Sequence, residues 1–180
     1  MSKDENEIRA SLLEKTLNYL AADYSILERT FAGLDAKAQA TFAVAGIFLA
    51  LLGNLIADPQ IAAAITGSCA AIPLFFITLG GLLGSTLLCI WAMRIRRIPT
   101  PLEGEKLSEV AGDVLAPQGD VSTETYEGWF REQIGAWEQP LREMRQVNEE
   151  KAAWVLRAQG VLMAAIISSS ALAVMYVFNA

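Results

Sequence analysis

Lys37 and Lys151 are ionisable side chains placed at the edge of apolar segments, and each has a carboxylate nearby. The first stands in Leu34-Asp35-Ala36-Lys37-Ala38 and the second in Asn148-Glu149-Glu150-Lys151-Ala152. A glycine follows each lysine nine residues later, Gly46 and Gly160. Lysine in such a position anchors, with its stem along apolar surface and its ammonium reaching the polar headgroup layer. Asp35, Lys37, Glu150 and Lys151 therefore mark two expected membrane junctions, both entered from the same side. Catalysis finds no comparable set of residues. The chain has no histidine, and it lacks HExxH, GxSxG and a phosphate-cradling glycine loop ending in Lys and Ser/Thr. Glu149 and Glu150 are helix neighbours that diverge by about 100°, so they do not form an acid–base pair. The expectation is no enzyme, no metal and no cofactor. A net charge of −6 argues against nucleic acid as a partner, since such proteins display a basic face.

The elements that would hold these lysines are membrane helices. Hydrophobic residues make up 53% of the 180 and charged residues 19%, a mixture of spans and polar segments rather than one soluble core. Three stretches carry no charge: residues 38–57, 59–93 and 158–180. Crossing about 30 Å of hydrocarbon takes about 20 apolar residues, and all three stretches suffice. Gly67, Ser68 and Pro73 divide the middle one. Its span is expected at about 69–93, with Asp58 to Ser68 an external connection that leaves room for a fourth, short interfacial helix over Ile61–Ile65.

Lysine and arginine placement sets the orientation. Lys37 precedes the first span, Arg94, Arg96 and Arg97 follow the second, and Lys151 and Arg157 precede the third. The expected topology is a multi-pass bacterial inner-membrane protein with its N-terminus cytoplasmic and its C-terminus periplasmic. The first 36 residues are polar and carry seven acids, so no cleavable signal peptide is expected there. Cys69 and Cys89 would lie about 30 Å apart on one helix, too far to pair with each other.

The polar segments are patterned as helices too. Leu13, Leu17, Leu20, Tyr24, Leu27, Phe31 and Leu34 recur at steps of four and three, the seam of a coiled coil or of a packed helix pair. That stripe serves either the chain's own second polar helix or another subunit. The second candidate helix covers 124–157, with Tyr126, Phe130, Ile134, Trp137, Leu141 and Met144 in register. Pro140 predicts a kink or break near Trp137, and Gly33 is a weak point in the first helix. Both helices are expected to run on into spans, which would let a bend in one reach the membrane. Residues 98–123 form a Pro- and Gly-broken cytoplasmic loop, a plain linker or a ligand-binding segment, with Ser108–Val114 able to make a helical turn or short strand. The fold class is all-α: three transmembrane helices with cytoplasmic helical extensions forming a bundle.

Within the spans, small residues repeat at intervals of four. Gly80 and Gly84 make a GxxxG, Gly81 and Ser85 repeat it, and Gly46 with Ala50 and Gly160 with Ala164 and Ser168 form further rows. Such rows let helix backbones approach in lipid, within one subunit or between subunits of a homo-oligomer. No Asp, Glu, Lys, Arg or His falls inside a span. Ion-coupled transporters place ionisable groups there, which counts against a small-solute transporter.

The order of parts resembles the membrane effector family of bacterial Pycsar and related cyclic-nucleotide anti-phage defence systems. The likeness lies in a polar helix, Asp35-Ala36-Lys37-Ala38 opening a span, a second span close behind, a cytoplasmic segment, and Lys151 leading into a last span. It covers about Leu13 to Phe178. It implies a protein that assembles in the inner membrane and impairs it when infection generates a nucleotide signal. Arg94, Arg96, Arg97, Arg142 and Arg145 would be the cationic contacts for a nucleotide bound by this chain. A separate sensor or cyclase partner is the other arrangement. The alternative function is a membrane-anchored scaffold that conducts nothing.

Overall fold

A computed structural model of the chain describes residues 3–95 and 123–179. The expected loop, including Ser108–Val114, and Arg96 and Arg97 lie outside the described residues. Four helices, and no strand, make up what is described: α1 (Lys3–Ala57), α2 (Pro59–Gly67), α3 (Ala71–Arg94) and α4 (Thr123–Asn179). Three of them, α1, α3 and α4, contain stretches long and apolar enough to cross a membrane.

Local chemistry explains where these helices stop. Asp58 caps α2, its Oδ1 accepting from the Gln60 N–H at 2.9 Å, and Pro59 occupies the first helical position, where its missing donor costs nothing. Pro73 likewise falls in the first turn of α3. The nine-residue α2 covers the connection in which a short helix over Ile61–Ile65 had room to form.

Of the kink or break expected near Trp137, the break does not occur. Helix α4 runs for 57 residues with Pro140 inside it. Proline costs about 3 kcal/mol in a helix interior, and here Trp137, Leu141 and Met144 pack on either side of it to offset that cost. Gly33 does not interrupt α1 either, which is helical over 55 residues.

The chain divides into two compact units. In the first, Tyr24 and Phe31 of α1 bury against Trp137, Leu141 and Met144 of α4, flanked by Leu17, Leu20, Leu27 and Val147. The Leu17–Phe31 part of the stripe thus meets α4 of the same chain. Tyr24 and Trp137 meet edge to face with centroids 5.6 Å apart, the arrangement favoured by ring quadrupoles. Asn148 Nδ2 donates to the Leu27 carbonyl at 2.9 Å, and Arg145 pairs with Asp23 at 2.5 Å in the open.

The second unit holds the uncharged helix segments able to cross a membrane, with Ala45, Leu52, Leu82, Leu162 and Ala165 as its core. Buried positions on α3 are Ala71, Thr78, Leu82, Ser85, Cys89 and Ala92, again mostly in steps of four and three. Much of the remaining surface is apolar and exposed, including Ile47, Phe76, Leu87, Met163 and Ile167. Apolar faces of that extent suit lipid as solvent.

Candidate functional site

The chemistry-bearing feature of the second unit is an ion pair between its two longest helices. Lys151 has no solvent-exposed surface, and its Nζ stands 2.6 Å from Asp35 Oδ1. The two junction motifs are therefore joined, with the carboxylate of one serving the lysine of the other. Lys151 does not snorkel. Its place on α4 explains why, because Asn148, Lys151, Val155, Ala158, Leu162 and Ala165 are all buried at steps of three and four. The ammonium occupies a core position of that seam and needs a counter-charge there. Lys37 and Glu150 are exposed, which leaves Lys37 free to anchor as expected.

Close by in the same unit, Ala38, Ala92 and Val155 form a buried cluster with Met93 and Trp154 packed on it. Trp154 stacks on Trp91, with centroids 6.4 Å apart and planes 24° from parallel. Arg94 lies over the Trp91 ring at 5.8 Å and Arg157 over Trp154 at 4.9 Å, both within cation–π range.

Further along these apolar segments, hydroxyls tie helices together. Ser85 Oγ donates to the Ala158 carbonyl at 2.9 Å and Ser168 Oγ to the Leu74 carbonyl at 3.0 Å. Such bonds each contribute about 0.6 kcal/mol on average in a membrane. Thr41, Thr78, Thr86 and Ser170 instead bond back to carbonyls of their own helices.

The small residues separate into two sets. Gly81 is in contact with α4: a Cβ added there would stand 2.9 Å from Ala165 Cβ. A Cβ on Gly84 would meet Val161 Cγ1 at 3.7 Å. Gly46, Gly80 and Gly160 have nothing within 4 Å of such a Cβ, and Ala50 and Ala164 are exposed. The row Gly160, Ala164 and Ser168 is thus split, with Ser168 turned inward and the other two outward.

Compared with protein families, curated proteins and solved structures, the chain finds no match. Its function is therefore argued from its own residues. Of the five arginines considered for a nucleotide, Arg94 is in the second unit over Trp91, while Arg142 and Arg145 are exposed in the first, with Arg145 paired to Asp23. No group of three or more acidic, Cys or His side chains able to hold a metal occurs among the described residues. Cys69 is exposed and Cys89 buried, both as free thiols. The feature that sequence reasoning missed is the pairing of Asp35 with Lys151. Continuing the four-and-three count of α4 past Met144 would have found the lysine's position.

Proposed function

We propose that this chain is an inner-membrane effector of bacterial anti-phage defence, which assembles with further copies and makes the membrane leak when a nucleotide signal is received. Its N-terminus is cytoplasmic and its C-terminus periplasmic, as the basic flanks require. The observation that carries the reading is the division of the small residues. Gly81 and Gly84 face α4 and bring α3 against it, while Gly46, Ala50, Gly160 and Ala164 are left outward on α1 and α4, available for other copies. A signal that shifts the packing of α1 against α4 in the first unit acts on helices that continue into the spans. A scaffold that recruits a partner through the Leu13–Leu34 stripe is less well supported, because Tyr24 and Phe31 are already buried on α4.

Two measurements test this. A membrane-impermeant maleimide applied to intact spheroplasts is expected to label Cys69 and not Cys89, and labelling to vanish in Cys69→Ser. Absence of labelling until the cells are lysed would invert the topology. For the activity, the chain is induced alone and together with cyclic-nucleotide synthases while a potential-sensitive dye is followed. Depolarisation and growth arrest are expected when a synthase is present. Unchanged potential and normal growth in every combination would remove the leak and leave the scaffold.

A further inference from the structure

We propose that Trp91, Arg94, Trp154 and Arg157 form a site for the phosphate of an anionic phospholipid. The two indoles stack on one another and each carries a guanidinium over its face, Arg94 on Trp91 and Arg157 on Trp154. A guanidinium lying on a ring keeps its N–H edges free, and those edges match two oxygens of a phosphate. Among the described residues neither arginine has a carboxylate partner, and the platform brings two positive charges together. Arg94 also lies in the last turn of α3.

The surroundings select a lipid over a free phosphate. Trp91 is 57% exposed, and Leu87 and Leu83, four and eight residues before it on α3, are exposed as well. These three share one helix face, so an apolar track leads away from the charged end as an acyl chain leads away from its headgroup. Indoles at the end of spans lie at headgroup level. The inference needs α3 and α4 to cross a bilayer and does not depend on the effector activity.

The test uses the full chain purified in mild detergent, with native mass spectrometry of retained phosphatidylglycerol against phosphatidylcholine. Wild type is expected to hold phosphatidylglycerol at least 10-fold more tightly. The double variant Arg94→Gln/Arg157→Gln should lose that preference with its helix content, followed by circular dichroism, unchanged. Trp91→Leu, at an exposed position, should weaken it about 3-fold by removing the platform under Arg94. Lys15→Gln, which removes an exposed cation of the first unit, should leave the preference as it is, and millimolar inorganic phosphate should not displace the lipid. Equal retention of both lipids by wild type overturns the proposal. So does an equal loss in Lys15→Gln and the arginine pair, or displacement by phosphate alone.

Discussion

Asp35→Ala is expected to destabilise the membrane unit by about 3 kcal/mol, because it strips a buried ammonium of its carboxylate. Breaking a buried pair from one side costs about 3–5 kcal/mol, and the lower end applies because the Asp35 side chain retains 32% exposure. The reverse deletion should cost much less. In Lys151→Met the new side chain fills the same seam position next to Val155, and the carboxylate it abandons still reaches solvent. Combining the two substitutions should return stability close to wild type, since the uncompensated charge is gone and a methionine packs where the lysine stem lay. Thermal or denaturant unfolding in mild detergent gives all three values, and the cycle gives the coupling. An Asp35→Ala protein within about 0.5 kcal/mol of wild type, or a double variant as unstable as Asp35→Ala alone, would mean that the contact is incidental.

The same pair shows how far the sequence could be followed. The stripe from Leu13 to Leu34 was legible as a seam, and the structure continues its spacing through Ala38, Thr41, Ala45 and Leu52, all buried. On α4 the count from Trp137 through Leu141 and Met144 leads to Asn148, Lys151 and Val155 in the same rhythm. Charge pointed the other way, because an uncompensated lysine is almost never fully buried. What the sequence lacked was its partner. Asp35 and Lys151 are 116 positions apart (151 − 35) in the chain, and their meeting depends on the register of two helices set by packing along their length. Periodicity on one helix carries no information about that register. Helix continuity through Pro140 was hidden for a related reason, since a local proline penalty is visible in the sequence and the tertiary packing that offsets it is not.

Gly80 and Gly81 make the same point at a single-residue scale, and substitution there is expected to separate them sharply. Both belong to small-residue rows, yet neighbours on a helix point about 100° apart, and of these two only Gly81 faces α4. Gly81→Leu should disrupt the packing of α3 on α4. Even one added carbon would approach Ala165 Cβ to 2.9 Å and its Cα to 3.5 Å, and backbone atoms cannot turn aside as a flexible side chain can. Overpacking of this kind costs typically 1–3 kcal/mol. Gly81→Ala should fall near the bottom of that range and Gly81→Leu at or beyond its top. Forcing these helices apart would also stretch the Ser85 hydroxyl from the Ala158 carbonyl, one turn further along α3. Gly80→Leu, by contrast, projects into open space and should stay within about 0.5 kcal/mol of wild type. Yield from the membrane and melting in detergent compare the three directly. If Gly80→Leu proves as damaging as Gly81→Leu, the close approach of α3 to α4 is not at Gly81 alone, and the outward set of small residues must be reassigned with it.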